Sequence, residues 1–283
     1  MLTAEEERFI LASAYIPEHI VGLMTCVSGG EPYLVEDHFC CRKGDWVILV
    51  GYPLKHDFTL SELEIIIDKI KKQFHPKYIS LIAPELPVSL AASCQEKETD
   101  YYYTLDIHNT IIRSSLRRTV KRAKESLTVE CSKKILNAHH DLIREFIERV
   151  KPQYRVEELL VKMPEYVGRS SDSMVLNAWG DENKLAAFYI IDQAARNFSS
   201  YVIGCHSKEN YVPGASDLLC FEMIEMSKQY GKHYIHLGLG VNEGIRGFKE
   251  KWGGTPTRRY VMCELLVKKY SIFDTIMTLW KKS

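Results

Sequence analysis

The sequence predicts an α/β fold with mixed sheets, built as two similar domains in tandem. Three observations predict it: a β-α-β pattern near residues 46–82, a second one near residues 200–237, and a constant offset between them. Subtraction gives that offset as 234 − 78 = 156 for two tyrosines, 237 − 81 = 156 for two leucines and 219 − 63 = 156 for two helix leucines. The shared register favours a duplicated domain, and two unrelated units of similar length are the alternative.

The composition is that of a globular protein without overall charge. The chain has 283 residues, of which 46% are hydrophobic, and its 37 Lys+Arg balance its 37 Asp+Glu. No global field therefore attracts nucleic acid or acidic lipid, and any such attraction must be local. The eight cysteines include no Cys-x-x-Cys spacing. They predict reduced thiols, with a metal site at His38, Cys40 and Cys41 as the less favoured alternative.

The N-terminus and the hydropathy pattern predict a cytoplasmic protein. Residues 1–7 have neither the basic nor the apolar segment of a signal peptide, and no run of about 18 apolar residues predicts a spanning helix. The stretch from Tyr270 to Lys282 is amphipathic. We expect it to pack on its own domain, with peripheral attachment at the inner membrane face as the alternative.

The first β-α-β unit begins with Trp46 to Val50, a short apolar run of strand length. Thr59 and Glu62 form a capping-box pattern that predicts a helix start, and Tyr78 to Ile82 predicts the next strand. The apolar stripe of that helix consists of Leu63, Ile66, Ile67, Ile70 and Phe74.

The second unit repeats this succession. Ser200 to Gly204 predicts a strand, Ala215 to Tyr230 a helix that stops at Gly231, and Tyr234 to Leu237 a strand. At the same offset, the strand pattern around Tyr103 falls beside residues 260–262, so a third strand aligns as well.

A basic amphipathic helix is predicted at residues 109–127. Its apolar stripe consists of Ile112, Leu116, Val120, Ala123 and Leu127. We therefore expect an N-terminal domain at 1–108, a linker helix at 109–127 and a C-terminal domain at 128–283. Residues 113–134 carry eight Lys/Arg against two Glu, whereas residues 1–37 carry seven carboxylates and one Arg. Either these segments pair or are solvated, or Arg113, Arg117 and Lys121 bind an anion such as a phosphate or an RNA backbone.

The segment from Gly240 to Gly254 follows a strand and closes a helix on two glycines. It resembles the terminal motif of the Gcn5-related N-acyltransferases (GNAT). The matching residues are Asn242, Ile245, Phe248, Lys251 and Gly253. Lys249 stands where that family usually has a tyrosine, a frequent general acid for the leaving thiolate.

Taken with the tandem domains and the basic segment Leu116 to Ala123, the chain resembles the FemAB/FemX branch over residues 45–267. In that branch a Phe-Lys pair is usual at the end of this helix, as in Phe248-Lys249. The resemblance implies amide formation. Members of the branch transfer aminoacyl groups from tRNA to peptidoglycan precursors, and more distant relatives transfer acyl groups from coenzyme A.

The turn at Gly214 is the expected site of the acyl donor. Small residues before a helix leave backbone N–H groups exposed, and the helix dipole favours a pyrophosphate there. Tyr211 departs from the Gln/Arg of the family pattern, and the charge of Asp217 disfavours a phosphate, so an ordinary capped helix is the alternative. His56 to Thr59 contains no glycine, so we expect no coenzyme in the first domain. The cofactor-binding residues implied by the resemblance are Tyr201, Val202, Ile203, Gly214, Ala215, Ser216, Asn242 and Phe248.

Direct attack of an amine on an activated carbonyl needs no metal and no protein nucleophile. We expect Lys249 and Asn242 to be catalytic, Lys249 as a point charge; the alternatives are a solvated lysine and a mere helix cap. His236 lies in an apolar strand and is predicted to be a core histidine.

The favoured function is an N-acyltransferase that uses acetyl-CoA or another acyl-CoA and a small-molecule or peptidoglycan-precursor amine. An aminoacyl-tRNA donor is the alternative, and a non-catalytic binding protein of the same fold is the third. Neither DNA binding nor stable membrane insertion is expected.

Overall fold

The computed structural model describes residues 2–267, which form two compact units. The first unit combines Gly30–Thr99 with the segment from Tyr260, and the second combines Leu2–Gly29 with Asp100–Arg259. Each unit combines segments that are distant in the chain, and the expected division into 1–108, 109–127 and 128–283 stays a prediction.

Residues 2–267 contain nine α-helices. They are α1 (Ala4–Ser13), α2 (Val21–Ser28), α3 (Leu60–Phe74), α4 (Val88–Ala91), α5 (Ser114–Ser126), α6 (Asn137–Val150), α7 (Tyr154–Arg169), α8 (Ala215–Gln229) and α9 (Glu243–Lys251). Short 3₁₀ turns lie at Pro17–His19 and Asp181–Asn183.

The same residues contain eleven β-strands. They are β1 (Glu31–Val35), β2 (His38–Lys43), β3 (Trp46–Val50), β4 (Tyr78–Ala83), β5 (Cys94–Asp106), β6 (Thr128–Ser132), β7 (Ser173–Trp179), β8 (Leu185–Asp192), β9 (Phe198–His206), β10 (Tyr234–Leu239) and β11 (Thr255–Leu266).

The first unit is a sheet in the order β1-β2-β3-β4-β11, in which β3 and β4 run parallel and the other neighbours antiparallel. Helix α3 begins at Thr59, whose side chain accepts the Glu62 N–H as predicted. All five predicted stripe residues of α3 are buried, which confirms the helical period. Cys94 and Cys263 form a disulfide, so the expectation of reduced thiols is wrong for this pair. Cys40 and Cys41 are buried thiols.

The second unit is a sheet in the order β5-β10-β9-β8-β7-β6, with β9 and β10 parallel and the other neighbours antiparallel. One face packs its apolar core against α5 and α8, and the other packs against α2, α6 and α7. Ile235 and Leu237 of β10 pack on the α5 and α8 side, whereas Tyr234 of β10 and Phe198 of β9 pack on the α2, α6 and α7 side. Alternation along the strand therefore turns His236 toward the α2, α6 and α7 side.

Both predicted β-α-β units are present, as β3-α3-β4 and β9-α8-β10. The offset carries the bounds of β4 onto those of β10, since 78 + 156 = 234 and 83 + 156 = 239. The predicted basic helix begins later than expected, at Ser114 instead of Asn109. Its first residues form a turn instead, because the Asp106 carboxylate accepts the backbone N–H groups of His108 and Asn109.

The predicted amphipathic stretch at 270–282 lies outside the described residues. Among residues 2–267, no helix combines the length and the hydropathy that crossing a membrane requires.

Candidate functional site

The two parallel strands of the second unit separate at their carboxyl ends. β9 and β10 pair only from Phe198 with Tyr234 to Ser200 with His236, although β9 continues to residue 206 and β10 to residue 239. Gly238, with φ 72°, lies where β10 shifts its register against β5. The separation leaves a notch between the strands. Backbone groups along its walls can bind an extended ligand.

Lys249 of α9 lies at the carboxyl end of β10, the strand that borders this notch. Its side chain is 5% exposed, and its Nζ donates a hydrogen bond to the Leu239 carbonyl at the end of β10. The ammonium also lies 5.7 Å from the centre of the Tyr103 ring. Burial lowers the pKa of Lys249 to about 7, although the negative charge of Asp100 opposes the shift. The interpretation as a solvated helix residue is therefore wrong. Near neutral pH, about half of the molecules carry the charge.

Asp100 organises the loop between β10 and α9. Its Oδ2 accepts the backbone N–H of Val241 at 2.7 Å, and its Oδ1 accepts that of Tyr101 at 2.7 Å. Val241 has φ 58°, in the left-handed region that β-branched residues rarely adopt. The Asp100 carboxylate thus stabilises a strained loop and lies near enough to Lys249 to favour its charged form.

The turn at Gly214 is covered by α5. Gly214 has φ 82°, and a Cβ built on it would lie 3.0 Å from Thr119 Cγ2 and 3.3 Å from Ala123 Cβ. In the first turn of α8, Asp217 accepts from the Trp252 indole N–H at 2.9 Å and pairs with Lys251 at 2.6 Å. The Asp217 carboxylate at this end of α8 disfavours the diphosphate of coenzyme A, although Lys251 offsets part of its charge. Donor binding at this turn stays a prediction.

No protein-family profile and no curated protein sequence matches the chain. Solved structures match it by fold. FemX aligns with a TM-score of 0.63 at 12% identity, over 98% of this chain and 98% of its own. L-PGS from Bacillus licheniformis aligns with a TM-score of 0.59 at 13% identity, over 98% and 96%. A tandem GNAT protein from the clavulanic acid biosynthesis pathway aligns with a TM-score of 0.57 at 11% identity, over 94% and 95%.

The chain has a FemX-like, tandem GNAT fold. This confirms the predicted fold class and the resemblance drawn from the segment Gly240 to Gly254. At these identities the likeness concerns the fold, so the roles of individual residues rest on the geometry of the site.

In the FemX-like fold, two residues of the GNAT-like motif have structural contacts. Asn242 is the N-cap of α9, where its Oδ1 accepts the Ile245 N–H at 2.9 Å. Phe248 is partly buried against the core shared by α5 and α8, and the Lys251 ammonium lies 4.9 Å from its ring centre. This hydrogen bond supports the interpretation of Asn242 as a helix cap, and the catalytic role of Asn242 stays a prediction.

The predicted donor-strand residues lie in β9. Tyr201, Val202 and Ile203 follow the last residue of β9 that pairs with β10, so they line the notch by position. Ser216 in the next helix directs its carbonyl to the Tyr189 hydroxyl at 2.9 Å, and Ala215 is buried.

The predicted anion residues form an exposed face of α5. Leu116, Val120 and Ala123 are buried against the core, and α5 packs along α8 through Lys124, which pairs with Glu222 at 2.7 Å. The α5 basic face consists of the exposed basic residues at this helix, which are Arg113, Arg117, Arg118, Lys121 and Arg122. The structure thus brings Arg113, Arg117 and Lys121 together on one solvent-facing surface.

In the first unit, ion pairs occupy the connection from β3 to α3. His56 Nε2 lies 2.9 Å from Asp37 Oδ2 and 3.0 Å from Glu62 Oε1. The prediction that this unit binds no coenzyme stays a prediction. Within residues 2–267, no three His, Cys, Asp or Glu side chains are grouped so that they could hold a metal ion.

Sequence reasoning missed Glu18, Asp100 and Ser200. Glu18 lies beside Tyr102 of β5, Asp100 reaches the loop before α9, and Ser200 is the last residue of β9 that pairs with β10. Glu18 is distant from β10 in sequence, and no local pattern marks it. Asp100 does precede the tyrosine run of β5, but only the pairing of β5 with β10 brings it to the loop before α9. His236 is buried as predicted, at 1% exposure, yet its Nε2 has no hydrogen-bond partner.

Proposed function

We propose that this protein is a transferase that forms an amide by direct attack of an amine on an activated acyl group in the notch between β9 and β10. The observation that carries the proposal is Lys249, a buried ammonium with a pKa of about 7 that is hydrogen-bonded at the carboxyl end of β10, the strand that borders that notch. The FemX-like fold supports the same class of reaction, because its neighbours include proteins described as tandem GNAT and as GCN5-related N-acetyltransferases.

The reaction balances with one proton moved. The amine nitrogen forms a bond to the acyl carbon, the bond from that carbon to the leaving oxygen or sulfur breaks, the nitrogen loses a proton and the leaving atom gains one. A lysine with an ordinary pKa of about 10.4 is a poor acid for this step, whereas one near 7 gives up a proton readily at neutral pH. The hydrogen bond to the Leu239 carbonyl fixes the position of Nζ, and Lys249 in its charged form also stabilises the developing oxyanion.

Between the two donors, an aminoacyl-tRNA is better supported than an acyl-CoA. The end of α8 is covered by Thr119 and Ala123 and already holds the Asp217 carboxylate, which disfavours the diphosphate of coenzyme A. The α5 basic face, in contrast, is exposed and suits a nucleic acid backbone. The acceptor is then a small-molecule or peptidoglycan-precursor amine, and the reaction belongs in the cytoplasm, where charged tRNA is found.

Donor binding and donor turnover test this proposal together. Release of free thiol from acetyl-CoA is measured against loss of the ester from aminoacyl-tRNA, with a panel of amines as acceptors. We expect ester loss that depends on both enzyme and amine. Turnover of acetyl-CoA alone would show that the donor is an acyl-CoA. Turnover of neither donor with any acceptor would contradict the transferase.

Salt dependence tests the α5 basic face. Each phosphate contact contributes roughly 0.7–0.9 to the slope of log affinity against log salt concentration. The double variant Arg117→Gln, Lys121→Gln should therefore weaken tRNA binding and lower that slope by about 1.5. Lys228→Gln on α8 is the matched control, since Lys228 is an exposed lysine paired with Glu225 outside this face. An unchanged slope in the double variant would exclude the face as the tRNA site.

A further inference from the structure

Three buried polar atoms without a hydrogen-bond partner lie near Tyr102 on the α2, α6 and α7 side of the second sheet. They are Nε2 of His236, Oγ of Ser200 and Oε2 of Glu18. The His236 ring is edge-on to the Tyr102 ring at 5.0 Å, and Ser200 is the strand partner of His236. Tyr102 also lies beside the Glu18 side chain. The three atoms therefore come from separate segments of the chain to one place beside the notch.

Each of these atoms has a defined hydrogen-bonding role. Nδ1 of His236 accepts the backbone N–H of Gly238 at 3.2 Å, and burial keeps the pKa of His236 far below its usual value. The neutral ring therefore carries its proton on Nε2, which is a donor. Ser200 is 0% exposed and its hydroxyl can also donate. Glu18 supplies the opposite character, a carboxyl oxygen that accepts.

The surrounding charges divide in the same way. Lys249, Arg258 and His19 face His236, and each disfavours a positive charge on its ring. Burial raises the pKa of Glu18 to about 7, so ionised Glu18 is stabilised by any cation that joins it. One side of the cluster thus suits a negative oxygen, and the other suits an ammonium.

Native proteins pair more than about 90% of their buried polar groups, because an unpaired one costs roughly 1–3 kcal/mol. Three in one cluster next to a reaction notch are typical of a binding site, where a ligand makes the missing hydrogen bonds. Residues that serve binding at the expense of stability are expected at such sites.

We propose that Glu18, Ser200 and His236 form the acceptor site, and that the acceptor is an amine with a neighbouring carboxylate or carbonyl, such as an amino acid or the amino-terminal residue of a peptide. The ammonium contacts Glu18, and the acceptor oxygen contacts His236 Nε2–H and the Ser200 hydroxyl. This assignment rests on the proposed function, which it deepens by naming the class of acceptor.

Isothermal titration calorimetry without any acyl donor tests the site directly. The probes are L-alanine and glycylglycine, with ethylamine and propionate as controls that carry only one of the two groups. We expect L-alanine or glycylglycine to bind at least about tenfold more tightly than either control, because only they satisfy both sides of the cluster. If all four probes bind alike, or none binds, the assignment is overturned.

Three variants localise the binding. Glu18→Gln and His236→Phe should each weaken the bound probe about 10- to 100-fold, and Ser200→Ala should weaken it less. Ser199→Ala is the matched control, because Ser199 is the adjacent buried serine and its hydroxyl already donates to Gln193 at 2.8 Å. Unchanged affinity in Glu18→Gln and His236→Phe would place the acceptor elsewhere.

Stability separates a binding role from a structural one. Ser200→Ala removes a buried hydroxyl that has no partner, so the melting temperature of the free protein should stay equal or rise. Ser199→Ala should lower it, because its hydrogen bond to Gln193 is lost. A fall in Ser200→Ala as large as that in Ser199→Ala would assign the cluster to the fold and contradict the site.

The two proposals fail in different ways. Probe binding that depends on Glu18, with no transfer from any donor, would contradict the transferase and keep the site. Transfer to an amine whose KM is the same in Glu18→Gln and wild type would keep the transferase and contradict the site.

Discussion

Replacing Lys249 by methionine should stabilise the protein at neutral pH. The pKa of Lys249 falls from 10.5 to about 7 on folding. That is a difference of about 3.5 units, and at 1.36 kcal/mol per unit the charged form costs about 5 kcal/mol to bury. At pH 7, where half of the folded molecules are neutral, the cost is about 4 kcal/mol. Loss of the hydrogen bond to the Leu239 carbonyl costs the variant about 1–3 kcal/mol. Lys249→Met should therefore gain about 1–3 kcal/mol.

The pH dependence of this gain follows from the sign of the shift. The pKa of Lys249 is lower in the folded than in the unfolded state, so between pH 7 and pH 10.5 the unfolded chain binds one proton more. The free energy of unfolding of the wild type then rises with pH, by up to about 1.4 kcal/mol per unit, relative to Lys249→Met. The advantage of the variant should shrink accordingly above pH 7.

Urea unfolding of both proteins at pH 7, 8, 9 and 10 measures that difference, and other titrating groups cancel in the comparison. A variant that is less stable at every pH, with a constant difference from wild type, would refute the reasoning. It would show that Lys249 is a paired structural residue.

Turnover gives the complementary measurement. Lys249→Met should lose about 10- to 100-fold in kcat, since a charge-assisted interaction in the transition state is removed. Lys249→Arg should keep a good part of the activity, because its guanidinium still stabilises the developing oxyanion. Loss of activity in this variant would instead assign the proton transfer to Lys249. Lys228→Met serves as the surface control. Equal kcat in Lys249→Met and wild type would make Lys249 structural.

Two further predictions concern stability. Gly214→Ala should lower the free energy of unfolding by at least about 2 kcal/mol, and the control Gly231→Ala by about 1 kcal/mol. Both glycines have positive φ, but only at Gly214 would the new Cβ lie 3.0 Å from Thr119. Equal losses in urea unfolding would contradict the packing of α5 over this turn. Asn242→Ala should cost about 1 kcal/mol because it removes the cap on the Ile245 N–H. A large drop in kcat without any loss of stability would instead support a catalytic Asn242.

The fold could be predicted from the sequence where burial is periodic. Leu63, Ile66 and Ile70 recur at helical spacing and all lie in the core, and the cap at Thr59 is where the pattern places it. The predicted start of α5 was wrong because the Asp106 carboxylate accepts backbone N–H groups that would belong to the first turn of the predicted helix. Such a local turn leaves no trace in hydrophobic periodicity.

The candidate site was predictable only in part. Lys249 and Asn242 follow from a motif within one helix and its preceding loop, and their catalytic roles stay predictions. The donor turn at Gly214 looked like a phosphate site because sequence shows small residues and not what packs on them. Thr119 of α5 approaches Gly214 only after the chain has folded.

The sequence by itself determined the α/β class, the duplicated β-α-β pattern and the identity of the helix that carries Lys249, since these depend on spacings of a few residues. Tertiary structure alone decided that Lys249 is buried beside the Leu239 carbonyl, and that Glu18 lies near His236. Burial and charge come from neighbours more than a hundred residues away, such as Asp100 for Lys249. The ionisation of a side chain depends on the burial and the charges around it in the folded protein, whereas a sequence pattern reports only which residues share a face.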